Sequence, residues 1–129
     1  MQMMKDDKGQ SMVEFALVIP LLLIILIGII EFGFLFSSYL TLTNASREAV
    51  RVVSLGGTST EAEARAKSVS GLLDKTKLNI SVLPDNTSFD RGDSVEVMIK
   101  YEYHFLTPFM EVILGNDFEL EANATMRVE

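Results

Sequence analysis

Phe15-Ala16-Leu17-Val18-Ile19-Pro20-Leu21-Leu22-Leu23-Ile24-Ile25-Leu26-Ile27-Gly28-Ile29-Ile30 is a run of sixteen residues without a charge. As a helix it measures about 24 Å at ~1.5 Å per residue. Glu31 interrupts it, and Phe32-Gly33-Phe34-Leu35-Phe36 continues it. From Phe15 to Phe36 the helix would reach about 33 Å, against a bilayer hydrocarbon core of ~30 Å. The stretch reads as a membrane span, with Glu31 a candidate membrane-interface acid unless it is paired. A secretory signal peptide is the competing reading. Its apolar core is usually only ~7–15 residues and ends at a small-residue cleavage site. This run is longer, and nothing like Ala-x-Ala directly follows it.

Lys5 and Lys8 lie before the span, and the nearest positive residues after it are Arg47 and Arg51. The positive-inside rule then places residues 1–9 in the cytoplasm and the C-terminal body outside. Acids weigh little in that rule, so Asp6 and Asp7 do not cancel it.

The whole chain has 129 residues, room for one domain and an anchor. Eleven Lys+Arg stand against 18 Asp+Glu, a net charge of −7. A nucleic-acid binder would normally show a basic face, so none is expected. There is no Cys, which removes disulfides, zinc-thiolate sites and Cys nucleophiles. Any catalytic triad or His-rich metal site would have to be built on a single His. No phosphate-binding Gly-rich loop is present. Neither an enzyme, a cofactor nor a metal is expected.

Glu14 stands at the start of the apolar segment. A carboxylate at the centre of a membrane helix costs ~2.5–3.5 kcal/mol, less near the edge. One reading is an interfacial acid whose head reaches water. A sharper one uses Gly9. Cleavage after Gly9 would leave Gln10 with a new ammonium and make Glu14 the fifth residue of the mature chain. Glu14 could then neutralise the amine of a neighbouring copy in a helix bundle, a pairing favoured where both charges are otherwise unpaired.

Lys8-Gly9, Gln10-Ser11-Met12-Val13 and Glu14-Phe15 together resemble the type IV prepilin processing site. The continuation Ala16-Leu17-Val18-Ile19-Pro20, the triplet Glu31-Phe32-Gly33 and the element Asn44-Ala45-Ser46-Arg47-Glu48-Ala49 are similar to the TadE-like branch of pilins. These are pseudopilins of the Flp/Tad tight-adherence pilus machinery. The resemblance covers residues 8–55 and extends more weakly to the C-terminal strands, through Tyr103-His104-Phe105 followed by Pro108. It implies a minor pilin or pseudopilin, cut between Gly9 and Gln10 by a prepilin peptidase. It also implies partnership with other pilins or pseudopilins, Tad assembly platform proteins and membrane lipid, and single-pass residence in the cytoplasmic (inner) membrane. Two departures stand out. Asp6 and Asp7 dilute the leader's positive charge, and the first mature residue would be Gln10 rather than the Phe common in other type IV pilins.

Beyond Phe36 the helical period continues. Leu35, Leu42, Ala45, Ala49 and Val53 share one side, flanked by Tyr39 and Val52, and Asn44, Arg47 and Arg51 lie opposite. Gly56-Gly57 is the expected stop. A second helix is expected over Thr60–Leu73. Thr60 and Glu63 would form its capping box, Ala62, Ala66, Val69 and Leu73 its apolar face, and Glu61–Arg65 and Glu63–Lys67 its charge pairs.

The period then becomes two. Leu78, Ile80 and Val82 alternate with polar residues. The same holds for Val95, Val97, Ile99, Tyr101, Tyr103 and Phe105, and again for Phe118, Leu120, Ala122, Ala124, Met126 and Val128. Three strands with one greasy face need a cover, and the second half of the long helix is the natural one. The expected fold is α+β: a long N-terminal transmembrane and amphipathic helix, a second short helix and a small antiparallel three-stranded sheet. Its organisation is a leader over 1–9, a transmembrane helix over 10–36, an amphipathic extension over 37–56 and an extracytoplasmic head over 57–129.

The remaining motifs carry less. Residues 109–114 read as a short turn or helix that plugs one end of the core, with an exposed contact for a partner subunit as the alternative. Arg91-Gly92-Asp93 spells a cell-attachment tripeptide, yet Gly at a turn before a strand accounts for it. Asp85, Asp90 and Asp93 lack the spacing of a calcium loop. His104, near Glu102, is expected to pair across the sheet. Asn-x-Ser/Thr occurs at Asn44, Asn79, Asn86 and Asn123, and matters only in a host that glycosylates such sites. A membrane-anchored extracellular binding domain, uncleaved and without a pilus role, is the second functional reading.

Overall fold

The computed structural model describes residues 2–85, 88–116 and 118–129. Its elements, in order, are α1 (Gln2–Ser54), α2 (Ser59–Val69), a 3₁₀ turn (Lys75–Lys77), β1 (Leu78–Leu83), β2 (Ser94–Tyr103), α3 (Pro108–Leu114) and β3 (Phe118–Arg127). The chain divides into two compact units, Met1–Gly33 and Phe34–Glu129.

The first unit is helical throughout its described residues, and α1 runs through Pro20. Fifteen large apolar side chains between Met12 and Ile30 are exposed. Each would cost on the order of 1 kcal/mol to leave half-wet. Their sum is then roughly the whole stability of a domain, ~5–15 kcal/mol. Water is a poor solvent for this surface. By length and composition the helix is able to cross a membrane.

The second unit is built on the sheet. Its strands lie in the order β1-β2-β3, antiparallel throughout. Ile80 pairs with Ile99, and Ile99 with Ala122; Val82 pairs with Val97, and Val97 with Ala124. These rows place one apolar face toward Leu42, Ala45, Ala49, Val50 and Val53 of α1 in a single buried cluster, which also takes in Ala62 and Ala66 of α2. Helical and sheet residues share this core because both periods present one continuous apolar face. The small Ala45 and Ala49 are fully buried in it. Ser46 is buried among them, its hydroxyl donating to the Thr43 carbonyl at 2.8 Å. On the opposite sheet face Asn123 donates to Glu96 at 3.2 Å, and Lys100 lies 3.8 Å from Glu119.

Helix α1 ends in a Schellman motif. Gly57 N–H donates to the Val52 carbonyl and Gly56 N–H to that of Val53, with Gly56 at φ +98°. A Cβ on Gly57 would lie 2.6 Å from Val52 Cγ1 and 2.7 Å from its carbonyl oxygen.

Helix α2 begins earlier and ends sooner than its sequence period indicates. Its cap is Thr58 rather than Thr60, with the box closed by Glu61 rather than Glu63. Thr58 is extended directly after the Schellman turn, at φ −84° and ψ 165°, the backbone conformation of a cap. At the other end, Ser70 donates to the Ala66 carbonyl and Gly71 takes φ +62°. Leu73 therefore joins the core from a turn, not from the helix. Arg65, expected to pair with Glu61, instead meets Glu48 of α1 at 3.2 Å, while Glu61 is occupied in the cap.

Three further expectations are revised. Met126 is exposed although it alternates with buried neighbours, and Tyr39 of the α1 stripe is also exposed. Residues 109–114 plug the core only through Met110. Phe109, Val112, Ile113 and Leu114 all face outward.

Candidate functional site

The residues of the expected processing site lie on the first turns of α1. Gly9, Gln10 and Glu14 are all exposed. Successive helical turns bring Gln10 and Glu14 together, and Gln10 Nε2 donates to Glu14 Oε1 at 3.2 Å. A Cβ at Gly9 would meet nothing within 4 Å. No close packing within this chain calls for glycine there. In a helix interior it costs roughly 0.5–1 kcal/mol relative to Ala. Glycine is therefore locally unfavourable and sterically unnecessary at this position.

Glu31 differs from Glu14 in its burial. It is 1% exposed and ranks among the largest fully buried side chains. Among the described residues no buried side-chain nitrogen or oxygen lacks a hydrogen-bond partner. Burial with hydrogen bonding is the condition under which an acid is tolerated away from water.

The second unit contributes a cavity of about 470 Å³ whose lining includes Phe34, Ser37 and Ser38 of α1, Leu72, Lys77, Tyr103, His104 and Leu106. The sequence did not single it out, because its walls come from α1, the turn after α2, the 3₁₀ turn, β2 and the loop that follows β2. His104 lies on this wall, just past the end of β2.

The other motifs resolve into structural roles. In the turn before β2, Asp90 N–H donates to Asp93 Oδ2 at 2.9 Å and Asp93 N–H to the Asp90 carbonyl at 3.1 Å. Gly92 takes φ +94°, and the Val128 backbone brackets the turn through Gly92 N–H and the Asp93 carbonyl, both at 2.8 Å. The Arg91-Gly92-Asp93 backbone is thus an anchored turn against the chain's last residues. Among the described residues no group of three or more His, Cys, Asp or Glu side chains is disposed to hold a metal ion. Asn44, Asn79 and Asn123 are exposed; Asn86 lies outside the described residues. Asp74, which caps the 3₁₀ turn, has a perturbed carboxylate. Its carboxylate accepts from the Thr76 hydroxyl at 2.7 Å and the Thr76 N–H at 3.0 Å, which holds its pKa below the ordinary value.

One comparison with known proteins bears on these residues. Residues 9–51 match the family of TadE-like proteins. The matched segment begins at Gly9, includes Glu14 and Glu31, and ends within the part of α1 that packs on the sheet. Over this segment the chain is TadE-like, and the match points to a Tad pilus-associated membrane protein. No curated protein and no solved structure matches the chain. Within the TadE-like segment two kinds of residue separate. Ala45, Ser46 and Ala49 are buried by the fold of this chain, whereas Gly9, Gln10 and Glu14 are left bare.

Proposed function

We propose that this chain is a TadE-like minor pilin or pseudopilin that takes part in assembling a Flp/Tad-type pilus. It is made as a single-pass precursor in the cytoplasmic membrane, with residues 1–9 inside and residues 57–129 outside. A prepilin peptidase cuts between Gly9 and Gln10. The mature chain then joins other pilins or pseudopilins and the Tad assembly platform through its N-terminal helix. It is a substrate of the peptidase and performs no catalysis.

The observation that carries this reading is the TadE-like match beginning at Gly9, a glycine with open space around it and no packing role. The Gln10–Glu14 contact supports the charge argument. In the precursor Glu14 accepts a neutral amide hydrogen bond. After cleavage a neighbouring subunit's Gln10 ammonium would offer a charge-assisted one, roughly twice as strong. The apolar side chains left exposed from Met12 to Ile30 would face lipid in the monomer and other helices in the assembly.

The test is the intact mass and N-terminal sequence of membrane-extracted protein from cells with and without the peptidase. The expected result is a chain starting at Gln10 with the peptidase and at Met1 without it, and a Gly9→Val variant starting at Met1 in both. A chain starting at Met1 in every sample would favour the uncleaved membrane-anchored binding domain.

A further inference from the structure

Among the described residues β1 and β3 each pair with β2 alone, which leaves one side of each strand unpaired. Such edges carry rows of unsatisfied N–H and C=O groups, a template for another strand. A groove of about 270 Å³ is lined by Ser59 and Glu63 of α2, by residues 80–83 of β1 and by Asp85. It takes in successive residues from both faces of the sheet, so it runs along the outer edge of β1. The residues that turn their backbone groups to each edge follow from one bond. Val128 N–H donates to the Asp93 carbonyl, toward β2. Backbone groups alternate sides along a strand, so Glu119, Glu121, Asn123, Thr125 and Arg127 turn theirs to the free edge of β3. Carried through both registers, the same alternation turns those of Leu78, Ile80 and Val82 outward from β1.

Charge on an edge ordinarily keeps a second strand away. Here the signs are ordered along the strands. β3 carries Glu119 and Glu121 near its start and Arg127 at its end, whereas Lys75 and Lys77 precede β1 and Asp85 follows it. Laid side by side and parallel, the two edges set acid against base at both ends. Laid antiparallel, they set like against like. The spacing agrees. Leu78, Tyr101 and Leu120 form one row of the sheet, and Asn79, Lys100 and Glu121 form the next. Where these rows run on into a neighbouring copy, Glu121 lies beside that copy's Asn79, and Glu119 beside its Lys77. In a parallel ladder each inward-bonding residue falls between two on the facing strand. Glu121 falls between Leu78 and Ile80, both of which turn their backbone groups outward.

We infer that the head carries a self-association surface: the β3 edge of one copy pairs in parallel with the β1 edge of the next, with Glu119 against Lys77 and Arg127 against Asp85. A β3–β3 pair between two copies would match charge as well, Glu119 against Arg127, but it reverses direction. Within the head β3 runs with α1. Phe118 pairs with Tyr103, which shares a cavity wall with Phe34, and Glu129 N–H donates to the Ser54 carbonyl. Antiparallel β3 strands therefore set the two α1 helices against each other, and the β3–β1 pair keeps them aligned. The chain enters the second unit at Phe34, so two heads tethered to one membrane are both held from that end, which favours the aligned pair. In this respect the inference rests on the anchoring proposed above. The contact joins two different edges, so each copy has one of each to offer and the row is open to further copies. It also covers Leu78, Ile80 and Ala124, which are left half-buried at the edges.

The chain has no Cys, so introduced cysteines report the register. Two full-length chains with different tags, one Asn79→Cys and one Glu121→Cys, would be coexpressed and oxidised in the membrane. Both positions are exposed, so neither change touches the core. The expected result is a mixed 79–121 disulfide several-fold more abundant than the 79–79 and 121–121 products. Lys77→Glu in the Asn79→Cys chain should lower the mixed product several-fold, and Glu119→Lys added to the Glu121→Cys chain should restore it. A more abundant 123–123 disulfide from Asn123→Cys chains, at the centre of an antiparallel β3–β3 pair, would overturn the inference. An alkaline wash of the same membranes separates this test from the anchoring. Chains that stay in the washed membrane without the mixed disulfide would overturn the pairing alone. Chains that wash out would remove the anchoring, and the aligned pairing with it.

Discussion

Between Met12 and Ile30 the apolar side chains of α1 are large and bare; between Leu42 and Val53 they are small to medium-sized and mostly covered. Both stretches are helical and both belong largely to the TadE-like segment. The difference is what each stretch is given to pack against. Ala45, Ala49 and Val53 fit against the sheet of the same chain. Leu21 to Ile27 have no comparable cover, and small residues would leave such a helix too weakly apolar to stay in lipid. One element thus serves two solvents, and side-chain size marks where one gives way to the other.

The sharpest way to break this contrast is to change side-chain size in both halves. Ile99→Ala, beneath the covered half, should cost the head about 2–5 kcal/mol, read as a large fall in its melting temperature. Leu22→Ala should leave that temperature unchanged. Equal effects would mean that the two halves form one cooperative core. Overpacking the stripe is the next test. Ala49→Leu, at a fully buried position, should cost roughly 1–3 kcal/mol or more.

Gly57→Ala and Gly9→Ala form a third pair. The first forces a Cβ within 2.6 Å of Val52 Cγ1 at a tight helix end. The second enters open space in a helix interior and should leave the folding of the head unaltered, with α1 helicity equal or slightly higher by circular dichroism. Breaking the exposed Arg65–Glu48 pair by Arg65→Ala should cost no more than ~1 kcal/mol.

Asp74 gives the smallest effect, visible only in acid. Its folded pKa is lowered by the Thr76 hydrogen bonds, so its contribution is present above the unfolded value of about 3.9 and fades as pH falls through the folded value. Thr76→Ala should reduce that acid-range dependence in a pH titration of stability.

Much of the fold could be read from side-chain periodicity. The alternation from Val95 to Phe105 is reproduced in burial residue by residue, because β2 is the central strand and its apolar face has one place to go. Met126 broke the rule near the end of an edge strand, where less structure is available to cover it. The start of α2 was misread because Thr58-Ser59-Thr60-Glu61-Ala62-Glu63 contains two overlapping capping boxes. Only the geometry of the Gly57 turn chooses between them. Gly9 and Glu14 drew notice for a different reason: both are unusual where they stand, and neither is explained by the core. The cavity beside Phe34 was not legible. Leu72 and Leu106 are 34 residues apart in sequence and meet only through the return of the sheet.

The account depends most on Glu14, bare in this chain and proposed to await a cation on another. Full-length Glu14→Gln protein, expressed with its pilin-like neighbours, would be crosslinked in the membrane and the subunit complexes counted beside those of the parent. The account predicts normal cleavage at Gly9, an unchanged melting temperature of the head and a several-fold loss of crosslinked complexes. Complexes as abundant as the parent's would contradict it.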